Sequence, residues 1–335
     1  MTEQSKIPLP GTGPSLIERA TKGLDLSALP RPVLPPVPAH RAPATGKAHD
    51  FAPAQAEPAL QPRPEAAAAE PGRTADGKVS LPEKPHVLAF KGPYHAIDRM
   101  HLREQCLIEP DGPITGILEE FRIVKRQLLL AAADSRAGNG APHGERVLVC
   151  SAHSGEGKTF CAVNLALSLA AEKDTEVLLV DADFAKPSVL STLGMPGGPG
   201  FMDALADPSL AVEDCILGTD IPGLWVLPAG NSTGSDTEYL ASSRTAAVLD
   251  RLTAQGPNRM IIFDSPPALA ASPASELAMH VGQAVMVVRA DRTGEAALRD
   301  ALNILSGCED IKLLLNCTKF SPTGRRFGSY YGYKE

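Results

Sequence analysis

Short apolar runs rich in β-branched residues recur from residue 146 onward and alternate with stretches long enough for helices. The six runs are RVLVC (146–150), EVLLVD (176–181), LWVLPA (224–229), MIIFDS (260–265), AVMVVRA (284–290) and KLLLN (312–316). Near-continuous apolar strands that alternate with helices are typical of a mostly parallel sheet covered on both faces. The pattern predicts a doubly wound α/β fold with a ligand site beyond the carboxyl ends of the strands.

Proline is distributed unevenly, with 17 of the 31 prolines in residues 1–100. Residues 30–85 combine Pro and Ala with almost no aromatics, which predicts a disordered linker because no core can form from such a composition. Upstream, in segment 1–29, residues 15–29 predict a short helix, since Ser15 and Glu18 have the spacing of a capping box. Two interpretations of this helix remain open: a transient helix in a disordered arm, and a docking peptide for a partner.

A long helix is predicted at the start of the globular part. Over residues 114–134, Ile117, Phe121, Val124 and Leu128 recur at helical spacing. The segment before it, 86–113, has enough apolar content to pack on the domain, but its pattern is ambiguous. We therefore place the domain at 114–318 and a separate C-terminal tail at 319–335.

Charge and cysteine content exclude several classes of function. A formal net charge of −7 argues against nucleic acid as the primary ligand, because the global basic field is missing. No run approaches the roughly 20 apolar residues of a membrane helix, and the polar N-terminus has no signal-peptide core. The six scattered cysteines form no C-x-x-C pair, which indicates a reduced, cytoplasmic compartment.

The first strand is followed by a sequence with the form of a phosphate-binding P-loop. Gly155 and Gly157 allow backbone N–H groups to wrap phosphate oxygens, and a helix predicted over 158–172 begins there. Lys158 can then reach the β- and γ-phosphates of ATP, and Thr159 can ligate Mg²⁺. The candidate nucleotide contacts in this loop are Ser154, Gly155, Glu156, Gly157, Lys158, Thr159 and Phe160.

Carboxylates follow two further strands. Asp181 and Asp183 stand two apart after the second run, so both can face the P-loop from the sheet edge. Asp264 follows four apolar residues, which is the Walker B form of an aspartate that binds Mg²⁺ through water. A solvated acidic turn or a helix cap is the alternative for the first pair.

The end of the last strand and the C-terminus carry weaker signals. Asn316 could read the adenine edge, and a plain turn asparagine is the alternative. Tyr330, Tyr331 and Tyr333 lie in the last six residues of a glycine-containing basic tail. We predict that they accept phosphate, with an aromatic docking peptide as the alternative.

Taken in order, these motifs resemble the bacterial tyrosine kinases of exopolysaccharide synthesis. The resemblance rests on the P-loop, on VLLVDADFAKPS, on FDSPP and on the terminal tyrosines. SLIERA, EEFRIVKR and GSYYGY look closest to the stand-alone autokinases linked to exosortase-type polysaccharide loci. The family implies a P-loop domain that uses ATP and Mg²⁺ to phosphorylate tail tyrosines of a neighbouring subunit in a ring-like homo-oligomer.

The resemblance also implies roles for individual residues. Lys158 would be catalytic, Asp181 would activate the tyrosine hydroxyl, and Thr159, Asp183 and Asp264 would hold magnesium. The family's oligomerisation helix carries Glu-x-x-Arg-x-x-Arg; the corresponding residues here are Glu119, Arg122 and Lys125, and lysine lacks the bidentate fork of arginine. We expect all three charges on an exposed face of the long helix.

The resemblance further implies partners and a location. A membrane polysaccharide chain-length determinant or activator protein would recruit the chain to the inner face of the membrane, and a tyrosine phosphatase would reverse its phosphorylation.

Two alternatives to a kinase follow from the same P-loop. Partitioning or division-site ATPases share the fold but carry a signature lysine at the position that His153 holds here. A non-catalytic nucleotide-sensing adaptor would keep the P-loop but would not need all three aspartates.

Overall fold

The computed structural model describes residue 90 and residues 92–318, except 255 and 257. The helix predicted at 15–29, the linker 30–85 and the tail 319–335 with its three tyrosines lie outside the described residues. The boundary of the first two segments therefore stays a prediction.

Eight strands and nine α-helices make up the described part of the chain. The strands are β1 (Tyr94–His95), β2 (Arg146–Ser151), β3 (Glu176–Asp181), β4 (Leu217–Thr219), β5 (Leu224–Leu227), β6 (Arg259–Asp264), β7 (Gln283–Arg289) and β8 (Asp310–Asn316). The helices are α1 (Arg99–Glu104), α2 (Gly116–Arg136), α3 (Lys158–Ala170), α4 (Val189–Leu193), α5 (Phe201–Ala206), α6 (Asp236–Leu240), α7 (Ser243–Ala254), α8 (Pro273–Ala278) and α9 (Glu295–Ile304). A short 3₁₀ turn, Val212–Cys215, precedes β4.

All eight strands form one sheet in the order β1-β4-β5-β3-β6-β2-β7-β8. Every neighbouring pair is parallel except β4 and β5. The strand after which the P-loop comes, β2, lies between β6 and β7, and β6 lies beside β3. This order brings the ends of β2, β3 and β6 together at one edge.

Alternate residues of the central strands pack into two separate cores. In β2, Leu148 and Cys150 join the core that includes α5, α7, α8 and α9. Val147 and Val149 face the other side, where α2 and α3 cover the sheet. The strands are thus buried on both faces, which explains why their sequences are continuously apolar rather than alternating.

The six predicted runs correspond to six of the strands, with shifts of a few residues at their ends. The strand β5 is shorter than the predicted run LWVLPA. It ends at Leu227, because the next residue, Pro228, has no N–H to donate to a ladder. The predicted helix 114–134 becomes α2, which begins after its N-cap Thr115 and ends at Arg136. The patterns did not predict β1 and β4, since strands of two and three residues leave no periodic signal.

One expectation about α2 is wrong. Lys125 is buried rather than exposed: its Nζ donates to the backbone oxygen of Ser168 at 2.8 Å and pairs with Glu172 at 2.7 Å. The side chain therefore ties α2 to the end of α3 within its own domain. Arg122 is exposed and pairs with Glu119 one turn earlier on the same helix.

Within the described ranges, no helix combines the length and the apolar character needed to cross a bilayer.

Candidate nucleotide and phosphoryl-transfer site

The loop between β2 and α3 has the backbone geometry that its glycines predict. Gly155 and Gly157 have φ angles of 77° and 98°, which are strained for any residue with a side chain. Gly157 is also the N-cap of α3, so the helix begins at Lys158 with its N-terminal amides at the loop. A helix N-terminus of this kind favours an anion such as phosphate.

The three predicted acids meet at this edge of the sheet. Asp181 ends β3 and Asp264 ends β6, and the two residues are register partners in adjacent parallel strands. Asp183 follows two residues after Asp181, and all three side chains are buried.

The P-loop side chains are paired with two of these acids. Nζ of Lys158 lies 2.8 Å from Oδ2 of Asp183, and Oγ1 of Thr159 donates to Oδ2 of Asp264 at 2.6 Å. Ser188 lies within hydrogen-bond distance of the same Thr159 hydroxyl, at 3.1 Å. The residues that sequence reasoning assigned to phosphate and to magnesium therefore contact each other directly.

Burial and charge perturb the titration of the site. Burial raises the pKa of Asp264 to about 7, although Lys158 and the Thr159 hydroxyl act in the opposite direction. Burial lowers the pKa of Lys158, but the charges of Asp264 and Asp183 outweigh it, so the net shift is upward. The site thus holds a firmly charged lysine beside a carboxylate that is costly to ionise without a further cation.

Asp181 is occupied by backbone amides. Its Oδ2 accepts from the N–H groups of Ser188 and Val189, both at 2.9 Å, and its Oδ1 accepts a longer bond from Asp183 N at 3.3 Å. Burial raises the pKa of Asp181 to about 6 despite these bonds. Because each carboxylate oxygen has two lone pairs, Oδ1 keeps one acceptor position besides the bond from Asp183 N.

The residues present fit Mg²⁺ bound together with a nucleotide. Oδ1 of Asp264 is fully buried and has no hydrogen-bond partner in the described part of the chain, which a cation or its water shell would correct. No group of three or more His, Cys, Asp or Glu among the described residues is arranged as a self-sufficient metal cage. This agrees with the usual coordination of Mg²⁺, which takes one or two carboxylates, phosphate oxygens and water.

Glu156, which the sequence analysis listed as a nucleotide contact, holds the P-loop in shape together with Arg289 and Thr293, which the sequence patterns did not single out. Glu156 is buried; its Oε2 accepts from His153 N at 2.9 Å, and its Oε1 accepts from the hydroxyl of Thr293. Arg289 donates to the carbonyl oxygen of Gly155 at 2.6 Å. Arg289 and Thr293 stand at and just after the end of β7, where the rule that ligand sites lie beyond strand ends could have found them.

Asn316 lies at the same edge but contacts the loop itself. Its Nδ2 donates to the carbonyl oxygen of Glu156 at 2.9 Å, and its Oδ1 accepts from Cys317 N at 2.8 Å. A Cβ at Gly157 would overlap the same amide nitrogen, so a side chain there would displace the Asn316 amide in addition to straining φ. Asn316 is therefore a brace of the P-loop, and its contact with adenine stays a prediction.

Relatives of the chain include proteins named as bacterial tyrosine-protein kinases. The putative tyrosine-protein kinase EpsB of Ralstonia nicotianae is 29% identical over 234 residues, which cover 69% of this chain. The putative tyrosine-protein kinase CapB of Staphylococcus aureus is 24% identical over 225 residues, or 67% of this chain. The chain is a homologue of these bacterial tyrosine-protein kinases. No protein-family model matches it.

The share of each relative that this kinase homologue covers differs widely. The matched region spans 30% of EpsB but 93% of CapB. The crystal structure of the chimerical protein CapA2B2 has a TM-score of 0.53 and 24% identity, and covers 67% of this chain and 93% of that one. This likeness supports the fold.

Proposed function

We propose that the chain is an ATP-dependent protein tyrosine autokinase that phosphorylates Tyr330, Tyr331 and Tyr333. The observation that carries the proposal is the buried network in which Lys158 meets Asp183 and Thr159 meets Asp264, with one Asp264 oxygen unpartnered. Such a network combines a cation for phosphate with carboxylates for magnesium. The names of the relatives support tyrosine as the residue that accepts the phosphate.

Binding of ATP requires the site to exchange partners. Lys158 would leave Asp183 for the β- and γ-phosphates, and the amides of the loop and of the α3 N-terminus would cradle them. Thr159, Asp183 and Asp264 would hold Mg²⁺, which when bound neutralises charge on the phosphate oxygens. Burial of the carboxylates strengthens each of these interactions because water screens them less.

Transfer then needs positioning more than covalent help from the protein. The tyrosine oxygen forms a bond to the γ-phosphorus, and the bond from that phosphorus to the β–γ bridging oxygen breaks, so ADP leaves with the bridging oxygen. We assign the tyrosine proton to Oδ1 of Asp181, the oxygen with a free acceptor position. Oδ2, which already accepts two amides, would keep the carboxylate oriented.

The cellular role belongs to the same proposal. The chain would act on a neighbouring copy in a ring and regulate exopolysaccharide synthesis and export. A membrane chain-length determinant or activator would bring it to the inner face of the membrane, and a tyrosine phosphatase would reset it. The names of the relatives and the three tyrosines of the C-terminal tail support this assignment.

Mass spectrometry of the purified full chain after incubation with Mg-ATP tests the proposal. We expect phosphate on Tyr330, Tyr331 or Tyr333, and none in Lys158→Met protein made free of wild-type enzyme. The matched control is Lys186→Met, which removes an exposed lysine near the site and should leave phosphorylation intact. Equal tail phosphorylation in the Lys158→Met protein would remove this site from the reaction. ATP hydrolysis that is stimulated by DNA or lipid, without phosphotyrosine, would favour a partitioning ATPase instead.

A further inference from the structure

An apolar groove of about 400 Å³ lies between α2 and β8. Ile117, Phe121 and Val124 of α2 form one wall, and Leu313 and Leu315 of β8 help to form the other. The two leucines are 58% and 57% exposed, although every central strand of the sheet is buried. Exposed large apolar residues that line one groove indicate a surface that another segment covers.

The outer edge of β8 adds a second reason for a covering segment. Among the described residues β8 pairs with β7 alone and ends the strand order, so its other backbone edge is not paired by a strand. Apolar edge strands are prone to pair with other chains, and proteins protect them with short strands, charges or a covering loop. Lys312 is the one basic residue in β8, and its charge is paired with Asp310 of the same strand.

The C-terminal segment of the same chain is the best candidate for the covering segment, because it begins beside the groove. Thr318 lines the groove and is the last described residue, so Phe320 follows the groove wall by two residues. Two residues of extended chain reach about 7 Å, which places Phe320 within range of the groove. The tail is also basic, with Lys319, Arg325 and Arg326, whereas Glu120 is an exposed acid on the groove wall.

The tail sequence contains residues that favour a turn, and such a turn would return the chain to the groove. Ser321-Pro322-Thr323-Gly324 has serine, proline and glycine at the positions preferred in a type I β-turn. Antiparallel pairing around such a turn would set Phe320 opposite Arg325 and Thr318 opposite Phe327. Directly opposed residues share a face, as do residues two apart, so Phe320, Phe327 and the groove-lining Thr318 would lie on one side of such a hairpin.

We propose that residues 319–327 fold back at this turn and pack Phe320 and Phe327 into the groove between α2 and β8 of their own chain. Tyr330 and Tyr333 follow Phe327 by three and six residues, a reach of about 10 and 20 Å. Docking of residues 319–327 would thus hold the start of the tail against the domain and leave the tyrosines that follow free. This consequence for the tyrosines rests on the proposed function, whereas the docking itself does not.

Hydrogen exchange of the ligand-free full chain tests the docking without any measurement of kinase activity. In the Phe320→Ala/Phe327→Ala double variant, we expect backbone amides of residues 310–316 to exchange about fivefold faster than in wild type, because the edge loses its cover. The matched control is Tyr330→Ala/Tyr331→Ala, which also removes two aromatic side chains and should leave this exchange unchanged. The wild-type rate should not depend on protein concentration.

Three results would overturn the docking. One is unchanged exchange at 310–316 in the phenylalanine variant, when a melting curve shows that the variant is folded. Another is protection that rises with protein concentration, which would make a second copy of the chain the occupant. The third is faster exchange at 310–316 after deletion of residues 1–85 with no effect of the phenylalanine changes.

Discussion

At the scale of single residues, the site is a set of buried charges whose present partners are other site residues. Lys158 neutralises Asp183, and Thr159 satisfies one oxygen of Asp264, while the other oxygen of Asp264 has no partner among the described residues. Buried carboxylates left partly unsatisfied lower the stability of the folded state. We propose that this loss of stability is the consequence of a site arranged to bind a cation and phosphate.

This arrangement predicts an unusual pH dependence of stability for Asp264. Its pKa is raised from 3.8 to about 7 in the folded chain, so the folded state binds the proton more tightly than the unfolded state. The stabilisation is fully present below the unfolded pKa and is lost as pH rises through the folded pKa. Ligand-free protein in EDTA should therefore become less stable between pH 4 and pH 7 as this group ionises.

Asp264→Asn should remove that loss. At pH 8 we expect a melting temperature about 2–4 °C above wild type, equivalent to about 1 kcal/mol, and a smaller difference at pH 5. Calorimetry at the two pH values measures it, and the same variant should lose magnesium-dependent nucleotide binding. A variant that melts below wild type at pH 8 would contradict the view that the ionised Asp264 carboxylate destabilises the folded state.

Asp181→Asn separates binding from transfer. Asparagine keeps a side-chain oxygen that can accept the Ser188 and Val189 amides, but it cannot take a proton from tyrosine. We expect the affinity for ATP to change less than about threefold and the rate of tyrosine transfer to fall by about 10²-fold or more. Equal losses in ATP affinity and in rate, measured by titration and by single-turnover phosphorylation, would assign Asp181 a structural role instead.

At the scale of elements, the P-loop is held by residues from the ends of β7 and β8. Thr293, Arg289 and Asn316 each contact Glu156 or Gly155, although they lie more than 130 residues away in sequence. The polar contacts fix a loop whose two positive-φ glycines would otherwise be mobile in many directions. The shape of the P-loop thus depends on residues at or just after the ends of two other strands.

Thr293→Val tests this bracing. Valine keeps the shape of threonine but loses the hydroxyl that donates to Glu156 and accepts from Arg289 N. A buried carboxylate oxygen left without its donor should raise the KM for ATP about tenfold, with a smaller effect on kcat. Thr293→Ser, which restores the hydroxyl, should rescue the KM. Failure of serine to rescue would show that the methyl packing matters and not the hydrogen bond.

The sequence predicted the elements that have a clear pattern and missed those set by distant contacts. The six apolar runs, α2, α3 and the edge that carries Lys158, Asp181 and Asp264 follow from periodicity and from the rule for parallel sheets. The burial of Lys125 could not be predicted, because helical spacing alone cannot show that Glu172 and the Ser168 carbonyl lie beside it. Asn316 was placed at the right edge, but its bond to the Glu156 carbonyl depends on the folded loop.

At the scale of the whole molecule, assembly into a ring stays a proposal, with fewer residues to support it. Lys125 is used inside its own domain, so the face of α2 available to a neighbour retains Glu119 and Arg122, which pair with each other. An exposed pair of this kind contributes only about 0–1 kcal/mol. Any ring would therefore need many repeated contacts, and we propose that the specific one is the tail of one subunit in the site of the next.

The Glu119→Ala/Arg122→Ala double variant addresses assembly. Made in a Lys158→Met background, which cannot phosphorylate its own tail, it should have a lower mass by light scattering with Mg-ATP than the Lys158→Met protein alone. Its melting temperature as a monomer should change by less than about 2 °C, since an exposed pair contributes little. Identical masses for the two proteins, both larger than a monomer, would show that this face of α2 is not the interface.

The most direct test of the central claim mixes two full-length variants in the presence of Mg-ATP. One is isotopically heavy Lys158→Met protein with its tail intact; the other is light protein with an intact P-loop and with Tyr330, Tyr331 and Tyr333 each changed to Phe. We predict phosphotyrosine on heavy tail peptides, because an active site in one chain phosphorylates the tail of another. Mass spectrometry that finds no phosphotyrosine on the heavy tail, while wild-type protein under the same conditions also carries none, would contradict the assignment as a tyrosine autokinase.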